Sequence, residues 1–353
     1  MVRLAPSEHY RFAQSCPGSM DLTFGGAESS VAASISMLGG SSRFVSALPQ
    51  HAIADAFVRQ MRGFKVDVDH VLRREAGRFG IYYVETGANQ RPSRVIYDRD
   101  YSAVSICSGE EYDWDAIFAD AQWLHISGIT LAISETAAHA AILAAGKAQA
   151  AGVKVSCDLN FRKNLWRWRS GSDARSLARS VMPDFLEYVN VIIGNEEDAA
   201  DVLDIHAGDT DVHSGSLEIA HYPDVARQIA QRFNNVEQVA ITLRESISAT
   251  HNNWGAMLFD VSNDTAVFAP MNGEQYEPFE IRNIVDRVGG GDSFAAGLIY
   301  AMTTKDFATA QDQVDFAVAA SCLAHSVKGD FNFTSRAEVE ALANGNASGR
   351  VQR

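Results

Sequence analysis

The chain has 353 residues, 46% of them hydrophobic, enough to bury a large core as one big α/β unit or two smaller domains. Thirty Lys and Arg against 44 Asp and Glu give a net charge of -14 without long single-sign runs. That balance disfavours nucleic acid and anionic membranes as partners and favours small molecules.

In chain order, the glycine pair Gly25-Gly26 opens a helical pattern in which Val31, Ile35 and Leu38 recur at i, i+4 and i+7. RFVSALP, from 43, reads as a strand. RFGIYYVE (78–85) and SRVIYDRD (93–100) are β-rich runs joined by the turn-like TGANQRP, a hairpin-like insertion expected to cover a site. WLHISG near 123 is a strand candidate, followed by the helix-prone Ala-rich run from Ser134 to Ala150. VKVSCDLN near 153, VNVIIGN near 189 and VEQVAITL near 236 are further strand candidates. Several are near-continuous apolar runs, as strands buried on both faces should be. This alternation predicts a mainly parallel sheet with helices on both faces.

Cys16, Cys107, Cys157 and Cys322 lie far apart with no C-x-x-C or C/H cluster, so neither a disulfide framework nor structural zinc is expected. No apolar run approaches the roughly 20 residues of a membrane span. The start MVRLAPSEHYRFAQS has no apolar leader segment. Free thiols in the cytoplasm are the expectation.

The segment IVDRVGGGDSFAAGL (284–298) carries the most chemistry. Glycines before a helix let backbone approach a ligand closely, and exposed N–H groups at the positive helix end stabilise an anion, above all a phosphate. Asp292 then stands where a carboxylate could take a proton from a hydroxyl attacking phosphorus. Helix capping alone accounts for an Asp here about as well. The G-x-G-x-x-G pattern fails because Phe294 stands at the third glycine position, and no G-x-x-x-x-G-K-[ST] occurs.

Asp286-Arg287-Val288-Gly289-Gly290-Gly291-Asp292-Ser293-Phe294 resembles the D-T-x-G-A-G-D-x-F signature of the ribokinase (PfkB-type) sugar kinases. Gly25-Gly26-Ala27-Glu28 resembles that family's second signature, a glycine pair beside the sugar. YDRDYSA (97–103), CDLNFRKNLW (157–166) and ITLRESISAT (241–250) are similar to segments of its 2-keto-3-deoxygluconate kinases. The resemblance implies a single ribokinase-like domain over 1–353, a three-layer α/β/α fold with a mainly parallel sheet, and a discontinuous β lid from about 14–26 and 77–104. It also implies ATP, Mg2+ and a sugar acid as small-molecule partners, and a homo-oligomer formed through the lid.

Residue by residue, the resemblance makes Asp292 the base and the amides of Gly289, Gly290 and Gly291 the anion hole. Asp286 is similar to a position shaping a monovalent-cation site, such as one for K+; a surface carboxylate is the other reading. Arg287 replaces the usual Thr, which bears on that cation, and Gly290 replaces Ala. Asn195 and Asp198, N-x-x-D at a helix start, resemble the family's N-x-x-E element that orders Mg2+ through water, though capping explains the pattern too. Thr242, Arg244 and Gly329 match positions near the nucleotide, as does Ala320, while small residues at 320 and 329 suit helix packing equally.

For the sugar, the resemblance implicates Gly26, Tyr82, Tyr97 and Arg99. Period-two alternation puts Val95, Tyr97 and Arg99 on one face of their strand. An Arg is a fixed planar fork of donors suited to a substrate carboxylate. Arg162, following Asp158 and Asn160 at alternate positions, reads as a site cation facing sugar or phosphate, or as a loop salt bridge. Ser30 stands where many members have Asn. His125 reads as a satisfied core histidine. The leading expectation is phosphorylation of 2-keto-3-deoxygluconate at its terminal hydroxyl. The alternatives are a kinase of a neutral sugar such as fructose, and a sugar-acid-binding regulator on a kinase scaffold.

Overall fold

In the computed structural model, residues 1–195, 197–206 and 219–346 are described. Positions 196, 207–218 and 347–353 of the expected 1–353 unit lie outside the described residues. The central sheet has seven strands. Trp123–Ser127, Lys154–Asp158, Val191–Asn195 and Gln238–Ser248 run parallel in that order. His251–Asp260 continues the sheet antiparallel, and both Thr265–Ala269 and Phe279–Arg282 pair with it.

Both faces are covered, which is why the inner strands read as continuous apolar runs. Along Val191–Asn195, Val191 and Ile193 face one helical layer and Ile192 the other. The helices Glu135–Ala150, Ala174–Leu186 and Tyr222–Arg232 form one layer. Ala27–Met37, Gly290–Thr303 and Ala310–Ala324 form the other. The Ala-rich helix begins where Ser134 Oγ accepts from the N–H of Ala137, and its buried alanines let it lie close on the sheet.

A separate four-stranded sheet stands over the C-terminal ends of the parallel strands, in the order Asp21–Phe24, Val2–Ala5, Ile81–Glu85, Arg94–Asp98. Val2–Ala5 occupies an inner position of this sheet, a placement its short sequence did not signal. The outer strands have no further strand partner among the described residues, and Leu22 (50% exposed) and Ile96 (54% exposed) face solvent there. The four cysteines are free thiols, and no helix among the described residues is long and apolar enough to cross a membrane.

Candidate active site

The strand ends, the glycine loop and the inner face of the small sheet enclose a cavity of about 1040 Å3. Open α/β sheets bind ligands at this position. Gly289 has φ +84°, and a Cβ there would come within 2.4 Å of the Asp330 carbonyl oxygen. Only glycine fits. The loop therefore turns tightly into the helix Gly290–Thr303, and Gly289, Gly290 and Gly291 line the cavity at its positive end.

Asp292 follows in the first helical turn and faces the same cavity. It is half-buried, with part of its surface open to the cavity. Burial pushes its carboxyl up to about 7, with Asp330 and Glu28 adding negative charge and Arg162 opposing them. A group poised there can both accept and hold a proton near neutral pH. Ser30 Oγ stands beside it without a completed hydrogen bond.

At the sheet edge of the cavity, Asn195 Oδ1 accepts from the N–H groups of Glu197 and Asp198, while Asp198 Oδ2 accepts from the N–H of Asn195. Asp198 Oδ1 also accepts from the N–H of Phe161. The N-x-x-D pair thus closes the turn ahead of the helix Asp198–Leu203, whose N-cap is Glu197, and still lines the cavity. Asp158 ends the neighbouring strand, and burial together with Asp198 and Asp292 holds its carboxyl well above the usual range. Arg162 is the cation that opposes these carboxylates. Among the described residues no three carboxylate, His or Cys groups form a ready metal cage. The donors present suit a hydrated Mg2+ held through water and substrate phosphates.

Thr242 pairs in register with Asn195, so both sit at the same strand end. Arg244 and Arg287 line the cavity near the glycine loop; burial lowers the pKa of Arg287, and the nearby charge of Arg244 adds to it. Arg287 donates to Asn252 Oδ1 at 2.6 Å, and its buried Nε has no partner. Gly329 does not line the cavity; its N–H donates to Asp286. Ala320 is buried in its helix, where a Cβ added at Gly297 would approach it at 3.1 Å, a helix-packing contact.

On the lid side, Gly26, Tyr82, Val95, Tyr97 and Arg99 all line the cavity, and Tyr82 and Tyr97 are cross-strand partners. The Tyr82 hydroxyl donates to Asp330. Arg99 makes no ion pair among the described residues, and its buried Nε is unpartnered. Glu28 attracts it from a distance, but Oε1 of Glu28 accepts from the N–H of Ser127 and the hydroxyl of Thr130. Orphaned polar atoms on cavity-lining residues, Arg99 Nε and Arg287 Nε, mark places where a ligand completes the bonding.

Asp286 is neither a surface group nor part of the cavity wall. It is buried against Arg3. Arg3, Glu28 and Asp330 had no assigned role in the sequence, and only Glu28, beside a recognised glycine pair, carried a signal. His125 Nδ1 lies 2.8 Å from Ser156 Oγ, to which Trp123 Nε1 also donates, and burial pushes the imidazole down to about 4. It is a hydrogen-bonded strand histidine, partly exposed where it lines the cavity, rather than a core residue.

A helix N-terminus opened by three glycines, next to a carboxyl raised to about 7, has the chemistry to receive a phosphate and take a proton from a hydroxyl. Residues 11–336 match the pfkB family carbohydrate kinases, and the chain belongs to that family. The 2-dehydro-3-deoxygluconokinase from Thermotoga maritima superposes with a TM-score of 0.87 at 41% identity, covering 98% of this chain and 96% of that one. The 2-dehydro-3-deoxygalactonokinase of Haloferax volcanii is 30% identical over 350 residues, 99% of this chain and 96% of its own length. The fructokinase of Salmonella typhimurium is 25% identical over 339 residues, 93% and 92% of the two chains.

Proposed function

We propose that this protein is an ATP-dependent sugar-acid kinase that converts 2-keto-3-deoxygluconate and ATP to 2-keto-3-deoxy-6-phosphogluconate and ADP. The observation that carries this reading is Arg99, a half-buried arginine lining the lid side of the cavity whose buried Nε is unpartnered and which has no carboxylate partner among the described residues. A substrate carboxylate is the group that satisfies it. The names of the Thermotoga and Haloferax relatives support the same substrate class.

In this reading Asp292 removes the proton from the terminal hydroxyl as its oxygen attacks the γ-phosphorus. The bond from that phosphorus to the bridging oxygen breaks, and the electron pair leaves with ADP. The N–H groups at Gly289 to Gly291 and the charge of Arg162 stabilise the equatorial oxygens of the transferring group. Arg244 and Arg287 lie on the side where the rest of the nucleotide enters. Asn195 and Asp198 would hold a hydrated Mg2+ at this end of the cavity, where it would neutralise charge on the nucleotide phosphates. Tyr97 packs the sugar against Gly26, and Tyr82 contributes its ring, its hydroxyl being held by Asp330.

The unpaired lid edges and the exposed Leu22 and Ile96 support a homodimer formed through the small sheet. Free thiols and the use of ATP support a cytoplasmic setting. The experiment that tests the function is ADP release with a panel of sugars and sugar acids. The C4 epimer, 2-keto-3-deoxygalactonate, belongs in the panel because of the Haloferax relative. Preference for fructose over both acids overturns the sugar-acid reading; no ADP release with any substrate overturns the kinase reading in favour of a regulator.

A further inference from the structure

The charges that phosphoryl transfer does not use lie behind the glycine loop. Arg3 is 2% exposed and Asp286 4% exposed. Arg3 Nη2 donates to Asp286 Oδ2 at 2.5 Å, and Nη1 donates to Asp330 Oδ1 at 3.1 Å. Asp286 Oδ2 also accepts from the N–H of Gly329, and Oδ1 from the N–H of Val288, both at 3.1 Å. Asp330 accepts from Tyr82 as well, and its carbonyl oxygen presses against Gly289. One guanidinium therefore ties together the lid strand Val2–Ala5, the loop that begins the anion site, and the loop carrying Asp330.

Two buried carboxylates sharing a site need a positive charge between them, since an unpaired buried charge is far costlier than a paired one. Family resemblance implied a potassium ion near Asp286, but the residues present do not suit one. A K+ bound to this carboxylate would have to displace the guanidinium or sit beside it, setting two cations together away from water. Arg287, where the family has Thr, adds a further fixed positive charge on the same loop and is anchored to Asn252.

We infer that Arg3 is a built-in cation: its guanidinium holds Asp286 and Asp330 and thereby positions the amides of Gly289 to Gly291, so that turnover needs no potassium ion. Arg3 is a positioning residue, acting through Asp286 and the loop rather than on substrate. This inference rests on the phosphate-cradling reading of the loop and not on the identity of the sugar.

The test compares the unaltered protein in potassium, sodium and choline chloride at equal ionic strength, measuring kcat with whichever sugar is phosphorylated and melting temperature without substrate. The expected result is the same kcat and the same melting temperature in all three salts. A saturable, potassium-specific rise in either quantity overturns the inference, and the melting readout holds even if the sugar assignment fails. Arg3→Ala should lose about 10²-fold in kcat, the effect of misplacing a catalytic loop by on the order of 1 Å, with a smaller change in the sugar KM. Added guanidinium ion should recover part of that kcat. Arg3→Ala that folds and turns over normally refutes the role; if it does not fold, Arg3→Lys, which keeps the charge without bridging both carboxylates, should show reduced kcat at unchanged sugar KM, and normal kcat there refutes it equally.

Discussion

Replacing Asp292 by Asn should stabilise the protein while removing its activity, and the stabilisation should depend on pH. The carboxyl is pushed from 3.8 to about 7, chiefly by burial. Between those values the folded chain holds a proton that the unfolded chain has released, so stability falls as pH rises through this window and does not return above it. At about 1.4 kcal/mol per unit, the ionised carboxylate opposes folding by at most about 4 kcal/mol. Cavity water reaches part of Asp292, and an Asn amide carries its own desolvation, so a gain of about 1–2 kcal/mol is expected. With an unfolding entropy of about 2.1 cal/mol/K per residue, a chain of this length melts about 1–3 °C higher for that gain. Melting curves of both proteins from about pH 4 to about pH 8 should show the difference growing from nothing to its full size. Turnover of Asp292→Asn should meanwhile fall by about 10²-fold to 10⁴-fold. A melting difference that is constant with pH, or near-normal turnover, would refute the reasoning.

The acid limb of kcat/KM should titrate at about 7, with activity full above it, because the base must be ionised to accept a proton; a limb near the ordinary Asp range argues for another base. Arg99→Ala should weaken binding of the sugar acid by about 1.5–3 kcal/mol, roughly tenfold to 150-fold, and hardly affect a neutral analogue. Equal losses for acid and neutral substrates would mean that Arg99 organises the lid rather than reading charge. Asp198→Asn should raise the Mg2+ concentration needed for half-maximal activity by about tenfold, as loss of an outer-shell partner does; an unchanged requirement removes Asp198 from the metal's surroundings. Ile96→Lys should convert a dimer to a monomer in sedimentation, and a wild-type protein that already sediments as a monomer would dispose of the lid interface.

Local pattern carried the central layers well. The apolar runs at Val191–Asn195 and Gln238–Ser248 are inner strands, and the Ser134-capped alanine run is a helix against the sheet. The alternation put Val95, Tyr97 and Arg99 on one face of their strand, and in the structure all three line the cavity. What sequence could not show is long-range. Arg3 meets Asp286 and Asp330 across 283 and 327 positions, and a lone arginine among VRLA carries no period or spacing that marks it as buried. Asp286 was ambiguous for the same reason, since its environment is built by chain segments remote from it. Val2–Ala5 is only four residues long, and its inner place in the lid depends on partners at Asp21–Phe24 and Ile81–Glu85. Gly289 was legible because the turn is local; the need for glycine was sharpened by the Asp330 carbonyl, which was not.

The tie between Arg3 and Asp330 also bears on how the protein is made. During synthesis at about 5–20 residues per second, Asp330 is added roughly 15–65 s after Arg3. Until then the first lid strand carries a guanidinium whose buried partners do not all exist, and Gly289 lacks the carbonyl that bounds its turn. A chain stalled before this point lacks both the Asp330 carboxylate that pairs with Arg3 and the Asp330 carbonyl beside Gly289. Completion of the glycine turn thus waits on a residue 327 positions after Arg3.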